Sequence, residues 1–466
     1  MVAAPATWHN PLVRTFAVIL ALCGCGPSLP DVVAGHEVAQ AGGAPSISSI
    51  VDLGGRATRS PGALGGVAPS DAVAAIGELV LLRGADLGRL PRVSVGGLPA
   101  TIEAHTTDGL IVRVPPGVAP GEQSFVVEHS HGVAGRRFPI RRWALVVAEN
   151  AVYPIAVDSA GLRALPPLSA PGAREVRFAA DGSVAYVLGV KLHVIDVVAP
   201  GGPQAVTTRE LPAAADHLVV ARDRGAARAA LVSGSTLVMI DVSSPYQPAF
   251  WSARPIHKDD AGAAAAADMD DTGKRLALLF GNRASFFDVA DVKNPIQAQS
   301  VDLLPGVRPP LGTHLRFASD GALWVLAGDN PRSLATGSQP LRLLRVKGGV
   351  VDAGRTMDDA GAPAGLALAP ESRRVRGSTI HASAMAPVLV AAGGGTRGGG
   401  AVHRVDGETV ESALDTPEAL IAMDAAPGAV LAIACRDGRV VVHAAGGAAV
   451  KLAASCTGTQ AIAVQP

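Results

Sequence analysis

Three side chains that could bind a metal ion occupy one position of a repeating pattern. Glu175, His217 and His314 each lie three residues before an apolar residue that recurs along the chain. Two imidazoles and a carboxylate form a ligand set that zinc and related transition metals accept. The equivalent positions of the other repeat units hold Ala, Gly or Leu, so solvated polar residues at a rim explain the pattern equally well. The sequence leaves both interpretations open.

The four cysteines fall into two pairs, Cys23 with Cys25 and Cys435 with Cys456. Cys435 ends an apolar run before the turn "RDG", and Cys456 lies in the link to the last apolar run. If that link crosses back over the preceding strands, the two Cα atoms come within the roughly 7 Å that a disulfide tolerates. An oxidising compartment would permit the bond. Two buried free thiols are the alternative.

Composition and motifs exclude several classes of function. Forty basic and forty acidic residues give a formal charge of zero, which removes the electrostatic attraction that dominates nucleic-acid binding. The sequence contains no G-x-S-x-G elbow and no H-E-x-x-H helix motif, so no familiar hydrolase signature supports catalysis. We therefore predict no nucleic-acid partner, no cofactor and no catalytic residue.

The first 24 residues have the pattern of an export signal. Arg14 is followed by the apolar run "FAVILALCG" and small residues, which is too short for an ordinary membrane-spanning helix. "LCGC", ending at Cys25, resembles the lipobox of bacterial lipoproteins. That resemblance implies a lipidated Cys25 after cleavage of residues 1–24. Lipidation at Cys23 and a plain cleavable signal are the alternatives. Residues 25–45 are rich in Gly, Ala and Pro, which predicts a flexible tether.

Residues 46–142 have the pattern of a small β-sandwich. Short runs with β-branched residues and period-two alternation are separated by Gly, Pro and Asp. The segments "GELVLLRGADLGRLPRVSVGGLPATI" and "LIVRVPPGVAPGEQSFVVEHSHG" strongly resemble the immunoglobulin-like IPT/TIG domain. In surface proteins that family serves as a spacer or a binding module, so the resemblance implies one of these roles here.

Residues 143–466 repeat a unit of about four short strands. One apolar residue marks the first strand of each unit, at intervals of about 41 to 55 residues: Phe178, Val220, Met269, Phe317, Leu368, Met423 and Val464. Such spacing is typical of a β-propeller. The last unit is cut short by the end of the chain, whereas "RWALVVAENAVYPIAVDSAGLRAL" supplies strands without a first strand. Joining the two termini predicts seven blades, and closure hides the sheet edges that an open array would expose.

The unit endings "LHVIDVVAPGGPQ", "LVMIDVSSPYQP" and "ASFFDVADVKNPIQ" resemble the LVIVD repeat of bacterial cell-surface propellers. In that repeat an apolar strand ends in Asp-Val and a turn containing Pro follows. The resemblance implies a propeller and names no ligand.

The sequence thus predicts an all-β protein of the cell envelope, held at the membrane only by its lipid anchor and comprising an immunoglobulin-like sandwich and a seven-bladed propeller. We expect a binding or scaffolding protein that recognises a protein or glycan through propeller loops, and not an enzyme. The alternative is an exported hydrolase or lyase with a metal site at the mouth of the propeller channel, formed by Glu175, His217 and His314.

Overall fold

The structure is a computed structural model that describes residues 43–53, 72–223, 225–234, 236–256, 264–303, 311–328, 341–357, 362–368, 388–393, 399–406, 409–457 and 460–466. All of these residues belong to one compact unit. The regular structure of the described residues consists of strands only. No helix that could span a bilayer is found in them. The protein is therefore all-β in its described part, as the sequence predicts.

The described residues up to 148 form nine strands: β1 (Ser46–Asp52), β2 (Ala74–Ala75), β3 (Leu79–Ala85), β4 (Arg92–Val95), β5 (Leu98–Pro99), β6 (Thr101–Thr106), β7 (Gly109–Arg113), β8 (Gly121–His129) and β9 (Gly132–Ala148). Four of them form an antiparallel sheet in the order β1-β3-β7-β6, and β5-β4-β8-β9 form part of a second sheet. The inward side chains of both sheets share one apolar core that contains Leu82, Val112 and Phe125. This packing follows from period-two alternation, which directs every second residue inward.

Strand β9 belongs to two parts of the chain. Its first half, up to Ile140, pairs with β8, and its second half, from Arg142, pairs with β10 (Ala151–Asp158). The sequence boundary that we predicted between residues 142 and 143 thus lies inside one continuous strand. Beyond β10 the chain adds β11 (Gly161–Ala164) and β12 (Leu168–Ser169), which both pair with β10.

Six antiparallel sheets of four strands follow, each with its strands in chain order. Their strands are β13 (Glu175–Phe178), β14 (Val184–Leu188), β15 (Lys191–Asp196), β16 (Gln204–Glu210); β17 (His217–Val220), β18 (Arg228–Ser233), β19 (Thr236–Asp241), β20 (Ala249–Pro255); β21 (Ala266–Met269), β22 (Arg275–Phe280), β23 (Arg283–Asp288), β24 (Ile296–Asp302); β25 (Leu311–Phe317), β26 (Leu323–Gly328), β27 (Leu341–Lys347), β28 (Val350–Met357); β29 (Ala362–Leu368), β30 (Val388–Gly393), β31 (Gly400–Asp406), β32 (Thr409–Thr416); β33 (Leu420–Ala426), β34 (Ala429–Arg436), β35 (Arg439–Ala444) and β36 (Ala449–Ser455).

Each of these six sheets has a register shift between its third and fourth strands. A bulge of this kind bends the strand and increases its twist. Because the fourth strand is the outer edge of its sheet, the distortion makes that edge a poor template for pairing with another chain.

The last strand, β37 (Ala461–Val464), pairs antiparallel with β9. The C-terminal strand thus joins the sheet of β9, β10 and β11, as terminal closure requires. We call β13, β17, β21, β25, β29, β33 and β37 the first strands. The residues that mark the repeat in the sequence, from Phe178 to Val464, all lie in these strands.

The first strands contact one another in a closed cycle, because β13 contacts β17 and so on to β33, β33 contacts β37, and β37 contacts β13. The apolar cores form the same cycle. Each of seven clusters in the described residues is shared by two successive sheets. The sheets beginning with the first strands therefore form a ring, and the first strands surround its axis.

The ring is joined to the β1–β8 segment by a buried polar junction. The Gln465 side chain accepts a hydrogen bond from the Trp143 amide at 2.9 Å and donates to the carbonyls of Ile76 at 2.8 Å and Gly182 at 2.7 Å. The fully buried Arg142 donates to the Gln465 carbonyl and, at 2.5 Å, to the Val118 carbonyl. Because these groups belong to both segments and are buried, the junction fixes one segment on the other.

Candidate functional site

Charged and polar side chains of the first strands collect around the ring axis. The first group is a pair formed by Glu175, the first residue of β13, and His217, the first residue of β17. The imidazole Nδ1 lies 3.0 Å from Glu175 Oε1, and Nε2 lies 2.8 Å from the Ala264 carbonyl oxygen. The second carboxylate oxygen, Oε2, accepts a hydrogen bond from the Leu218 amide at 2.6 Å. Both carboxylate oxygens are therefore occupied by the neighbouring strand.

The pair is an ion pair. Burial alone would lower the pKa of His217, but the hydrogen bond and charge of Glu175 outweigh it and raise that pKa. Burial alone would likewise raise the pKa of Glu175, but the hydrogen bond from His217, the charge of Arg177 and the charge of His217 lower it. A carbonyl and a carboxylate can only accept, so an imidazolium with two N–H donors satisfies both contacts.

His314 is in a different environment. Its Nδ1 lies 3.0 Å from the Thr313 hydroxyl. Burial, followed by the charges of Arg316 and Arg177, lowers the pKa of His314 to about 4, so the imidazole is neutral at physiological pH. Its neighbours are cations, whereas the neighbour of His217 is a carboxylate.

The structure does not bring the three predicted ligands together as a metal site. No group of three His, Cys, Asp or Glu side chains that could hold a metal ion exists among the described residues. The physical reason is that Glu175 and His217 use their polar atoms on each other and on backbone groups. The described residues therefore do not show Glu175, His217 and His314 as one ligand set, and a shared metal site stays a prediction.

A second group surrounds Asp268 of β21, whose side chain is only 7% exposed. One carboxylate oxygen lies 2.5 Å from Arg222 Nη2 and accepts the Phe317 amide at 2.8 Å. The other lies 3.5 Å from Arg316 Nη1. One carboxylate thus connects three successive sheets, because Arg222 follows β17 and the other two residues belong to β25.

Arg222 lies at the end of the ring where the turns from first to second strands are located. It also approaches Asp271 at 3.4 Å and donates to the Phe317 carbonyl at 2.9 Å. Burial would lower the pKa of Arg222, but the charges of Asp268 and Asp271 outweigh it and raise that pKa. The side chain remains 35% exposed, so solvent reaches the axis at this end.

Arg177 of β13 differs from the other cations of the axis. It makes no ion pair with a described residue, and its hydrogen bond is a 3.4 Å contact to the carbonyl of the preceding residue, Val176. Across the ring, Asp424 of β33 accepts the Val464 amide at 2.8 Å. Its charge raises the pKa of Arg222 and opposes the lowering of the pKa of Arg316. These charges therefore interact across the axis.

Sequence reasoning missed the arginines and Asp268, although the pattern contained a signal for them. Arg177, Asp268 and Arg316 each lie one residue before the apolar residue that marks their repeat unit. In a strand, positions one and three before a reference residue are on the same face. The face that suggested Glu175 and His314 thus also indicates Arg177 and Arg316.

The two cysteine predictions lie in different parts of the chain. Cys435 at the end of β34 and Cys456 after β36 form a disulfide, with Cα atoms 6.0 Å apart. The bond joins the second strand of the last four-stranded sheet to the link that leads to β37. Cys25, the predicted lipidation site, lies outside the described residues.

No family model matches the sequence, and no curated protein matches it significantly. Several solved structures are similar to the chain at low identity. A functionally unknown protein from Desulfotomaculum acetoxidans DSM 771 is 13% identical with a TM-score of 0.49, covering 69% of this chain and 98% of that one. Apo AztD from Citrobacter koseri is 10% identical with a TM-score of 0.45, covering 70% and 99%. A protein of unknown function from Bacteroides thetaiotaomicron VPI-5482 is 12% identical with a TM-score of 0.41, covering 90% and 98%. These similarities assign no function to this chain.

Proposed function

We propose that this chain is an exported, lipid-anchored binding or scaffolding protein of the bacterial envelope. In this proposal residues 46–142 are an IPT/TIG-like immunoglobulin sandwich and residues 143–466 are a seven-bladed β-propeller with LVIVD-like repeats. The single observation that carries the proposal is the closed cycle of seven first strands, completed by the pairing of β37 with β9. Four-stranded sheets around a central axis are the defining geometry of a propeller.

Binding is the role that this geometry supports best. Closure gives the ring two rigid ends formed by turns, and loops on a rigid scaffold are where recognition residues concentrate. The junction at Arg142 and Gln465 fixes the ring on the sandwich, so a tethered sandwich would hold the ring at a defined orientation away from its anchor. We propose a protein or glycan as the partner, and we propose that the protein is not an enzyme. The alternative is an exported hydrolase or lyase, which would need Glu175, His217 and His314 to meet at one metal ion.

The anchor is tested by replacing each N-terminal cysteine in the full chain. We expect Cys25→Ala to release the protein from the membrane fraction and Cys23→Ala to leave it there. Mass spectrometry of the mature protein then identifies the lipidated residue. An unmodified Cys25 in the membrane-bound protein refutes the lipid anchor at Cys25. Lipidation at Cys23 instead would place the anchor at that residue.

The partner is tested by photo-crosslinking in intact cells. A photoreactive residue at Val190, in the turn from β14 to β15, samples one end of the ring. A photoreactive residue in place of Ile296 or Val350 samples the other end, because both positions directly follow turns between third and fourth strands. All three side chains are at least 60% exposed. We expect one discrete crosslinked species from one end and none from Arg209, an exposed control on the outer strand β16. No specific product from either end refutes recognition through the turns.

A further inference from the structure

The charges of two half-buried arginines on the first strands act on each other. Arg177 of β13 and Arg316 of β25 occupy equivalent positions of first strands that are separated by β17 and β21. Burial and the charge of Arg177 both lower the pKa of Arg316, and both charges lower the pKa of His314. The positive charges of the two guanidinium groups therefore repel each other, and they favour the neutral form of the His314 imidazole.

The carboxylates near these arginines are engaged elsewhere. Glu175, two residues before Arg177 on the same strand, directs one oxygen to His217 and the other to the Leu218 amide. Asp268 approaches Arg316 only at 3.5 Å, because its other oxygen binds Arg222 at 2.5 Å. Neither carboxylate thus forms an ion pair with Arg177, although the charge of Arg177 lowers the pKa of Glu175, and Arg316 shares Asp268 with Arg222.

Most N–H donors of the two guanidinium groups remain unused. Arg177 has a 3.4 Å contact to the Val176 carbonyl, and Arg316 has a 3.5 Å contact to the Leu315 carbonyl besides its long contact with Asp268. Each guanidinium carries five donors in a planar fork that matches a carboxylate or a phosphate. Two guanidinium groups that repel each other and carry unused donors form a favourable site for an anion, because an anion relieves the repulsion and accepts the hydrogen bonds.

We propose that the ring axis binds an oxyanionic group, a carboxylate or a phosphate, between Arg177 and Arg316. The neutral His314 is the adjacent polar side chain and adds no positive charge to the site. Arg222, which is 35% exposed beside Asp268, lies at the end of the axis that solvent reaches. This inference deepens the proposed binding function by naming a ligand class. It rests on that proposal, because the site requires the first strands to enclose a common axis.

The test is isothermal titration calorimetry of the purified full chain with inorganic phosphate or with acetate, against sodium chloride at equal ionic strength. The two probes distinguish a phosphate site from a carboxylate site. We expect saturable binding of at least one probe by the wild type. Arg177→Gln and Arg316→Gln should each raise the dissociation constant roughly tenfold or more, because each removes a charge-assisted contact. Arg209→Gln, on the outer strand β16, is the matched control and should bind like the wild type.

A second measurement separates ligand binding from a structural role. Without added anion, the unfolding temperature of Arg177→Gln should stay close to that of the wild type, because the change removes both a repulsion from Arg316 and an attraction to Glu175. Arg177→Lys keeps the charge and loses the planar fork, so it should fold and bind more weakly. Absence of saturable binding by the wild type overturns the inference, as does equal binding by Arg177→Gln and the wild type. Anion binding without any crosslinked partner would refute the proposed partner and leave this site intact.

Discussion

Gln465→Ala tests the junction between the ring and the β1–β8 segment. The side chain is fully buried and makes three hydrogen bonds, at 2.9 Å with the Trp143 amide, 2.8 Å with the Ile76 carbonyl and 2.7 Å with the Gly182 carbonyl. Alanine leaves these three backbone groups without their partner. At about 1 kcal/mol net for each hydrogen bond, the expected loss of unfolding free energy is about 3 kcal/mol.

The assay is urea unfolding of the full chain, followed by tryptophan fluorescence. Trp143 is 2% exposed and donates its amide to Gln465, so its emission reports on this junction. With a urea slope of about 3 kcal/mol per molar, a loss of about 3 kcal/mol lowers the midpoint by about 1 M. Gln204→Ala is the control, because Gln204 is exposed and makes one bond to the Pro200 carbonyl. Equal midpoints for the two variants refute the reasoning that the buried amide of Gln465 holds the segments together.

Three further perturbations probe the ring. The His217–Glu175 pair should stabilise the fold most between about pH 4.5 and 6.5. Because folding raises the pKa of His217, its contribution is lost as the pH rises through the pKa of the folded state. Because folding lowers the pKa of Glu175, its contribution is lost as the pH falls through the pKa of the folded state. The stability difference between His217→Gln and the wild type, measured by thermal unfolding, should therefore be largest in this window. Reduction of the Cys435–Cys456 bond, which spans 21 residues, should cost about 3 kcal/mol in urea unfolding. Gly365→Ala should cost about 1 to 3 kcal/mol, because its Cβ would lie 2.6 Å from a methionine side chain and 3.1 Å from a backbone nitrogen of β33.

Each of these perturbations has a control. His105 is exposed, so His105→Gln should leave the pH profile unchanged, and a flat difference profile for His217→Gln would contradict the ion pair. A Cys435→Ser and Cys456→Ser double variant should unfold at the same urea midpoint as the reduced wild type, with or without reductant. Equal midpoints for the oxidised and the reduced wild type would contradict a stabilising disulfide. Gly225→Ala meets its nearest atom at 3.6 Å, so it should be tolerated, and equal stability of the Gly365 variant would contradict the close approach of β29 and β33.

The fold was largely predictable because strand formation is local. Apolar alternation and turns such as Asp181-Gly182 determine where strands lie, and Gly182 takes the positive φ of +75° that such a turn requires. The regular spacing of the marker residues, from Phe178 to Val464, indicated sheets of four strands. The unfinished last unit indicated the pairing of the two ends, which the structure contains as β37 against β9.

The candidate site was predictable only in part, because charge pairing depends on distances between sheets. The sequence indicates which residues share a strand face, and Glu175, His217 and His314 do occupy equivalent positions. It contains no information that Glu175 would pair with His217 across neighbouring strands while His314 would lie among arginines.

The sequence alone determined the all-β class and the repeat, because each depends on residues close together in the chain. Only the tertiary structure decided the environment of each charge. Asp268 meets Arg222 and Arg316 because ring closure brings residues about 50 positions apart to one axis. Gln465 meets Ile76 across 389 residues because the pairing of β37 with β9 brings the end of the chain to the β1–β8 segment. Burial and Coulomb energies depend on such three-dimensional distances, which no local pattern encodes.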